Sequence, residues 1–270
     1  MGTCVQLAAS ISDSIKLLES DEYSIEQKLD GHRLMLVIDD SKIIPLNRNG
    51  EARDIPNKLE ALIRSIPVIN TGRWIFDGEL IKGKYFVFDM PEMNSITIAG
   101  LPWMQRRLAL DKFFDLLKAS GFEQPELQTT AWSIENKKAF FDACLDKEGV
   151  MFKRIDSPYQ PGRHSTWVKH KFHKSCEVIV TELNRKGKSE AMSLGLYDDK
   201  GTLHNAGGCR ILPKFEGKIS AGDVVEIRYL YATEEHKLYQ PHMIAIRKDK
   251  KPEECGRWQL EMTNRQIAKI

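Results

Sequence analysis

Lys28-Leu29-Asp30-Gly31-His32-Arg33 is the stretch from which the fold of this chain can be predicted. The flanking segments predict strands: 23–27 a short strand, and the apolar run 34–38 a buried one. The six residues therefore lie at a turn, where Gly31 lets the backbone come close to whatever Lys28 contacts. Asp-Gly is also a common hairpin dipeptide, so these residues alone favour an ordinary hairpin with a solvated lysine.

The composition is that of an ordinary globular protein. A length of 270 residues favours about two domains. The net charge of +2 permits a nucleic-acid partner without demanding one. No apolar stretch approaches the roughly 18 residues of a membrane span, and the N-terminus lacks the pattern of a signal peptide. We therefore expect a cytoplasmic protein without a membrane partner.

The cysteines predict neither a metal site nor a disulfide framework. There are five of them, and no two share a C-x-x-C spacing: Cys4, Cys144, Cys176, Cys209 and Cys255. That spacing argues against structural zinc. Reduced thiols in the cytosol are the simplest interpretation.

The first part of the chain mixes strands with helices. Leu7, Ile11, Ile15 and Leu18 recur at helical spacing, which predicts an amphipathic helix over 1–20. A long helix is predicted between Pro102 and Gly121, and the strands are predicted at 42–46, 74–81, 85–89 and 166–171. Hairpins among these strands predict an α+β domain of antiparallel sheets flanked by helices.

The second part is predicted to be almost entirely β. Five short strands are expected, at 177–183, 191–197, 203–211, 224–231 and 238–246. With one helical turn near 214–219, this order predicts a Greek-key fold of the OB type. We therefore predict domains at 1–173 and 174–270.

Lys28 is the first candidate for chemistry. An amine is a nucleophile only when it is neutral, and the ordinary lysine pKa is about 10.4, so nearby cations would have to lower it. Lys169 and Lys171 lie two residues apart on one predicted strand and share a face. Such pairs are more often simply solvated. Trp167 and Val168 beside them indicate a partly buried strand, where lysines need an anionic partner.

Other polar clusters admit two interpretations each. Glu79 and Glu148 adjoin glycines beside strands, where a carboxylate can bind Mg²⁺ or be an ordinary surface residue. Phe88 is either core or a platform on which a base stacks. The run 247–250 is either a charged strand end or a phosphate clamp that a moving second domain brings to the site.

Taken in order, these clusters resemble the motifs of the nucleotidyltransferase superfamily, which contains ATP-dependent DNA ligases and mRNA capping enzymes. The six clusters are Lys28–Arg33, Arg48 in Asn-Arg-Asn-Gly, Phe76–Glu79 with Val87–Asp89, Glu148–Met151, Lys169–Lys171 and Arg247–Lys250. The second matches more loosely, since serine often stands at the position of Asn47. One such motif is weak support, whereas six in order from residue 26 to residue 250 are specific.

This resemblance implies an adenylation domain followed by an OB-fold domain, and the activity of an ATP-dependent DNA ligase. Lys28 would attack the α-phosphate of ATP to form lysyl-AMP. Glu26 would contact the adenine amino group, and Phe88 would stack on the base. Arg33 and Arg48 would meet the ribose or phosphates, and Glu79 the ribose.

The resemblance also implies a metal site and phosphate ligands. Glu148 and Glu79 would hold Mg²⁺ or Mn²⁺, and Lys169 and Lys171 would contact the α-phosphate. Three residues of the predicted OB-fold domain would orient the departing pyrophosphate, namely Arg247, Asp249 and Lys250. AMP would then pass to the 5′-phosphate of a nick, and the 3′-hydroxyl would displace it.

We expect a minimal, monomeric ligase that binds nicked duplex DNA through basic surfaces, because the segment 184–190 is too short for a DNA-encircling latch. The expected DNA contacts are Arg48, Lys153, Arg154, Arg163, Arg185, Lys186 and Lys188. Arg106 and Arg107 either form salt bridges inside the domain or reach DNA.

Two alternatives remain at this stage. An mRNA guanylyltransferase or RNA ligase shares several motifs, but capping enzymes more often have aspartate where Glu148 stands, and many RNA ligases lack an OB domain. A non-catalytic nicked-DNA binding module is also possible, although it has no need for Lys28, Glu79 and Glu148 together.

Overall fold

The structure is a computed structural model in which residues 4–11, 13–122, 124–186 and 189–260 are described, with only the backbone of 185, 186 and 189. The chain forms two compact units, Met1–Lys171 (unit 1) and Phe172–Ile270 (unit 2). The assignment of an adenylation domain to 1–173 and an OB-fold domain to 174–270 stays a prediction.

Unit 1 contains eleven strands and three α-helices within its described residues. In chain order they are β1 (Gln6–Ala9), β2 (Tyr23–Lys28), β3 (His32–Asp39), β4 (Lys42–Leu46), α1 (Asn57–Ser65), β5 (Arg73–Ile81), β6 (Lys84–Met93), β7 (Ile96–Thr97), α2 (Trp103–Ala119), β8 (Leu127–Thr129), β9 (Trp132–Ser133), α3 (Lys137–Ala143), β10 (Gly149–Arg154) and β11 (Gly162–Lys171). Short 3-10 helices occur at Ser14–Leu18 and Pro67–Asn70.

Two sheets form unit 1. One has the order β1-β11-β10-β2-β9, and the other has the order β4-β3-β5-β6-β7 with β8 paired to β6. Neighbouring strands are antiparallel except in the pairs β1–β11 and β6–β8.

The Lys28–Arg33 stretch joins these two sheets, so the hairpin interpretation is wrong. β2 pairs with β9 and β10, whereas β3 pairs with β4 and β5. Gly31 is required by a close approach to β5, because a Cβ there would lie 2.6 Å from the Leu80 carbonyl oxygen and 3.0 Å from Glu79 Cγ. The turn therefore brings the lysine at the end of β2 beside a carboxylate of the other sheet.

β3 is buried on both faces, which explains its unbroken apolar run. Leu34, Leu36 and Ile38 pack into the core under α1 and α2, whereas Met35 and Val37 pack into a second core with Trp167 of β11. Alternation of side chains along a strand produces this division. The second core lies where the two sheets face each other, and it supports the site described below.

The helix predicted over 1–20 is wrong. Gln6–Ala9 is a strand paired with β11, and among the residues of this segment that the structure describes, only Ser14–Leu18 is helical, as a short 3-10 turn. Ile11 and Ile15, which the helical pattern places in a core, are 41% and 45% exposed. Backbone pairing with a distant strand outweighs the local periodicity here, as tertiary contacts often do.

Unit 2 is built from seven strands within its described residues, and its main sheet has the order β14-β13-β12-β15-β18. The strands are β12 (Lys174–Lys186), β13 (Ser189–Tyr197), β14 (Leu203–Arg210), β15 (Val224–Tyr229), β16 (Tyr231–Ala232), β17 (Leu238–Tyr239) and β18 (His242–Ile246). The predicted helical turn is a 3-10 helix at Pro213–Phe215, with two further ones at Pro252–Glu254 and Arg257–Gln259.

Alternating residues of the central strands form the core of unit 2. Val178 and Val180 on β12 and Val225 and Ile227 on β15 are fully buried. The mostly antiparallel sheets with few helices confirm the α+β class predicted from the sequence. No helix in the described part of the chain is both long and apolar enough to span a membrane.

Candidate active site

Unit 1 contains a cavity of about 290 Å³ between its two sheets. Its walls come from β1, β2, β3, β5, β6, β10 and β11 and the turn after β4. The lining residues are Leu7, Ala8, Glu26, Gln27, Lys28, Leu29, Arg33, Arg48, Asn49, Glu79, Phe88, Met151, Lys153, Arg163, Trp167 and Lys169. The cavity thus gathers residues from five of the six motif clusters onto one surface.

Glu148 joins two lysines beside this cavity. Its Oε2 lies 2.6 Å from Lys28 Nζ, and its Oε1 lies 2.8 Å from Lys171 Nζ. The strand register explains the grouping, because Gly149 pairs with Lys28 on one side and with Lys171 on the other. Gly149 has φ +157°, and a Cβ there would lie 2.1 Å from the His170 carbonyl oxygen, so only glycine permits this spacing.

Lys169 lies on the same face of β11 as Lys171 and is half-buried at the cavity. Burial lowers its pKa below the ordinary lysine value, and the charges of Arg163, Lys171 and Lys28 lower it further. A cluster of cations held this close together is a site for a polyanion, because an anion relieves their mutual repulsion.

Glu79 faces the cavity from β5, where it pairs in register with Arg33. Burial raises the pKa of its carboxyl to about 7, and the charges of Arg33 and Lys28 oppose that shift. A carboxyl in this condition accepts hydrogen bonds or binds a cation once a positive charge arrives.

Arg33 is fixed from behind by a buried carboxylate. Its Nε and Nη2 each lie 2.6 Å from an oxygen of Asp77, and Nη2 also donates to the Gln6 carbonyl at 2.9 Å. The Tyr159 hydroxyl donates to the same carboxylate at 2.6 Å. Among the described residues no hydrogen bond is assigned to Arg33 Nη1, so this nitrogen can bind a ligand in the cavity.

Phe88 lies against two cations. The Arg33 guanidinium and the Lys153 ammonium are each 4.5 Å from the centre of its ring. The ring also meets Trp167 edge-on at 5.9 Å between centroids. This packing holds the aromatic plane in one orientation at the cavity wall, as a stacking platform requires.

Lys153 does not contact DNA from the surface, which corrects the prediction. It is 1% exposed, its ammonium pairs with Glu26, and it lies 4.3 Å from the Trp167 ring centre. Lys153 shares one face of β10 with Met151, and both residues line the cavity rather than the outer surface. Burial lowers its pKa, while the Glu26 charge opposes that shift.

Arg106 and Arg107 are salt-bridged inside unit 1, so the choice left open by the sequence is settled. Arg106 binds both oxygens of Asp89 at 2.8 Å, and Arg107 binds Glu26 at 3.1 Å and Asp111 at 2.7 Å. They are 0% and 1% exposed, which excludes contact with DNA.

The other predicted DNA contacts of unit 1 are on its surface or at the rim of the cavity. Arg48 is exposed in a turn that Asn47 organises by accepting the Asn49 and Glu51 backbone N–H groups. Arg163 is exposed and donates to the Ala8 carbonyl. Arg154 lies outside the cavity lining and pairs with Asp156 at 2.7 Å.

The sixth motif cluster lies in unit 2 and is engaged in local ion pairs. Arg247 contacts Glu177 at 2.6 Å, Glu226 at 3.5 Å and Asp249 at 2.8 Å. Lys250 lies 3.3 Å from Glu254. The Arg247 guanidinium holds the pKa of Asp249 down at about 2. The predicted DNA contacts Arg185, Lys186 and Lys188 lie outside the described side chains.

The sequence does not identify several residues of the cavity wall and its support as site residues. Leu7 and Ala8 are predicted in a helix, Met151 only as the end of a motif and Trp167 only as part of a partly buried strand. Tyr159 carried no signal of its own, because its role depends on Asp77, which is distant in the sequence. Leu7 and Ala8 could have been recognised as cavity residues only from the pairing of β1 with β11.

A carboxylate that joins two lysines, beside a cavity lined by cations and one fixed aromatic ring, is the type of site that the nucleotidyltransferase motifs imply. Residues 81–171 match the family model of the ATP dependent DNA ligase domain. This match includes Phe88, Glu148, Lys169 and Lys171.

Curated relatives agree with that match. The multifunctional non-homologous end joining protein LigD of Pseudomonas aeruginosa is 28% identical over 232 residues, which cover 74% of this chain and 27% of the relative. DNA ligase C1 of Mycolicibacterium smegmatis is 28% identical over 228 residues, covering 70% of this chain and 64% of the relative. The chain thus spans only about a quarter of the length of that LigD protein.

Solved structures share the fold. The ligase domain of LigD from M. tuberculosis has a TM-score of 0.52 at 21% identity, covering 93% of this chain and 96% of that chain. A structure from an analysis of Lig E DNA ligases has a TM-score of 0.64 at 20% identity, covering 90% and 98%. The resemblance drawn from the motifs is confirmed: the chain is related to ATP-dependent DNA ligases of the nucleotidyltransferase superfamily.

Proposed function

We propose that this chain is an ATP-dependent DNA ligase that seals 5′-phosphate/3′-hydroxyl nicks in duplex DNA. The observation that carries the proposal is Lys28 at the cavity, 2.6 Å from Glu148 and grouped with Lys169 and Lys171. The related proteins named as ligases support the same activity. Because LigD is named for non-homologous end joining, its similarity favours a role in repair.

In the first step, Lys28 Nζ attacks the α-phosphorus of ATP. A P–N bond forms, the bond between the α-phosphorus and the bridging oxygen breaks, and pyrophosphate leaves with its electron pair. Glu148 Oε2 is in position to accept the proton that the amine loses. Lys169, Lys171 and Arg33 would neutralise the charge that develops on the phosphate oxygens, which is the main contribution a protein makes to such transfers.

The walls of the cavity suit a purine nucleoside. Phe88 offers a fixed aromatic face, Glu26 an acceptor at the inner end, and Glu79 an acceptor for ribose hydroxyls. Arg48 lines the cavity from an exposed turn and is proposed to contact the phosphates.

The carboxylates of Glu148 and Glu79 suit a magnesium ion that binds together with the nucleotide. Within the described residues there is no group of three or more potential protein ligands. Mg²⁺ typically binds through one or two carboxylates together with substrate phosphates. Glu148, assisted by Glu79, would hold the ion, and Mg²⁺ so bound supplies charge neutralisation at the phosphates.

In the later steps, the 5′-phosphate at the nick takes AMP from Lys28, and the 3′-hydroxyl then displaces AMP to close the backbone. Arg48, Arg154 and Arg163 are the described surface cations that we propose contact the DNA. Arg247, Asp249 and Lys250 are proposed to orient pyrophosphate in the first step.

The test is a nick-joining assay with ATP and magnesium that compares a nicked DNA duplex with a nicked RNA duplex. We expect sealing of DNA and covalent label from α-labelled ATP. Label from GTP but not ATP would identify a guanylyltransferase instead. Sealing of RNA but not DNA would identify an RNA ligase, and DNA binding without label would leave a binding module.

A further inference from the structure

The Glu26 carboxylate is almost completely enclosed at the cavity and has donors on both oxygens. Its side chain is 2% exposed. Arg107 Nη1 lies 3.1 Å from Oε1, and the Thr130 hydroxyl also donates to Oε1. Lys153 pairs with Oε2. A buried carboxylate without such partners would carry a large desolvation cost, which these three donors offset.

Arg107 is itself held in one position. It donates to Asp111 at 2.7 and 3.2 Å, to the Thr130 carbonyl at 2.8 Å and to the Thr130 hydroxyl at 3.0 Å. Trp132 Nε1 donates to the same Asp111 at 2.8 Å. The hydroxyl hydrogen of Thr130 therefore has one direction left, toward Glu26. Helix α2 is thereby connected to an acceptor that lines the nucleotide cavity.

This arrangement has a consequence for the choice of base. An ionised carboxylate held in one orientation offers a ligand only hydrogen-bond acceptors. It attracts a base that presents an amino group at that position and repels one that presents a keto oxygen. A neutral or reoriented carboxyl would lose this discrimination, because a carboxylic acid also donates.

We propose that Arg107 and Thr130 are positioning residues for base selection: through Glu26 they make the cavity prefer a 6-amino purine to a 6-keto purine. Neither residue lines the cavity. The proposal rests on the function proposed above, since it takes the cavity as the nucleotide site.

Thr130→Val tests it with the least disturbance, since valine keeps the shape and removes the hydroxyl. Thr129→Val is the matched control, because the neighbouring half-buried threonine makes no side-chain hydrogen bond to Glu26. Covalent labelling by α-labelled ATP and by α-labelled GTP is measured over a range of nucleotide concentrations. Near-ultraviolet circular dichroism of each variant establishes that it is folded.

We expect Thr130→Val to raise the KM for ATP about tenfold, as the loss of a hydrogen bond to a charged group does, with kcat within about twofold. The ATP-over-GTP preference should fall by a similar factor. Arg107→Lys, which breaks the paired contact with Asp111, should act in the same direction. Equal loss of kcat with both nucleotides, or an unchanged preference in both variants, would overturn the proposal.

Failure of the proposed function has a different signature. If the wild-type chain takes no covalent label, binding of ATP and GTP is compared through the fluorescence of Trp167 at the cavity wall. A wild-type preference for ATP that Thr130→Val abolishes supports the positioning role without ligase chemistry. No preference in the wild type overturns it.

Discussion

The Glu148 carboxylate lies 2.6 Å from Lys28 Nζ. Its other oxygen lies 2.8 Å from Lys171, and the Glu148 side chain is only 4% exposed. One carboxylate thus sets the separation of two amines from strands that are not neighbours, β2 and β11. In the proposed reaction one amine is the nucleophile and the other neutralises phosphate charge.

Replacement of Glu148 by glutamine should therefore damage the first step more than the fold. Glutamine keeps the size but removes the charge that holds both lysines. We expect the rate of lysyl-AMP formation to fall at least about 100-fold, a typical effect of removing a group that acts in the transition state. The measurement is single-turnover labelling with ATP. Glu22→Gln, at an exposed position on unit 1, is the control and should label at the wild-type rate.

Lys28→Arg should abolish covalent labelling, with a loss of about 10³-fold or more, because a guanidinium cannot provide a neutral nucleophile. The variant should still join a nick that already carries AMP on its 5′-phosphate, since that step needs no lysyl-AMP. Lys42→Arg, on the exposed edge of β4, is the control. Labelling of Lys28→Arg at the wild-type level would place the nucleophile elsewhere.

Tyr159→Phe should weaken the support of Arg33. The lost hydroxyl donates to the buried Asp77 carboxylate at 2.6 Å and accepts the Gln6 N–H at 3.2 Å. We expect unfolding of unit 1 to become easier by about 1.5–3 kcal/mol, the range for a hydrogen bond to a charged group. Denaturant unfolding followed by tryptophan fluorescence measures this. Tyr23→Phe, which removes a half-buried hydroxyl, should change stability by much less.

Glu79 should make the stability of unit 1 depend on pH. Burial raises the pKa of Glu79 from 4.5 to about 7, so the folded state binds more protons than the unfolded state between these values. Stability should therefore fall as pH rises through this window and level off above it. The Glu79→Gln variant should lack this pH dependence. Its free energy of unfolding, relative to that of the wild type, should rise by at most about 3 kcal/mol as the pH goes from 4 to 8.

The measurement for Glu79 is denaturant unfolding without nucleotide or metal at a series of pH values. Four of the five tryptophans lie in unit 1, so their fluorescence follows this unit. A difference between variant and wild type that stays constant with pH would mean that Glu79 titrates normally.

Arg247→Lys should slow the first step without affecting closure of a nick that already carries AMP. Lysine keeps the charge but cannot pair with Glu177 and bind Asp249 with two nitrogens, as the guanidinium does. We expect about a 100-fold loss in labelling. Lys248→Gln, at the exposed neighbouring position, should behave as wild type. Equal loss in both steps would indicate a structural role of Arg247.

Prediction from the sequence placed residues correctly where a short local pattern marks them, whereas their roles stay predictions. Lys28, Glu79, Glu148 and Lys169 could be singled out because each motif is a short, ordered pattern; three of them line the cavity and Glu148 contacts Lys28 beside it. The strands of unit 2 were found by turn signals between short apolar runs, and five of them form its main sheet.

Prediction failed where distant pairing decides the structure. The periodicity of 1–20 fits a helix, yet β1 forms because β11 offers a strand edge far away in the sequence. Lys153 lies in a basic run that resembles a DNA-binding surface, but its ammonium packs against the Phe88 ring and pairs with Glu26, which is distant in the sequence. Arg107 and Tyr159 act through partners 81 and 82 residues away, which no local pattern reveals.

The crossing of Lys28–Arg33 from one sheet to the other puts the proposed nucleophile and the proposed base platform on separate sheets. Lys28 ends a strand of one layer, whereas Phe88, the ring proposed to carry the base, belongs to the other. Any change in the gap between the layers alters the distance that the reacting atoms must cover. Bulk added at Met35 or Val37, inside that gap, should therefore slow catalysis from a position that touches no substrate.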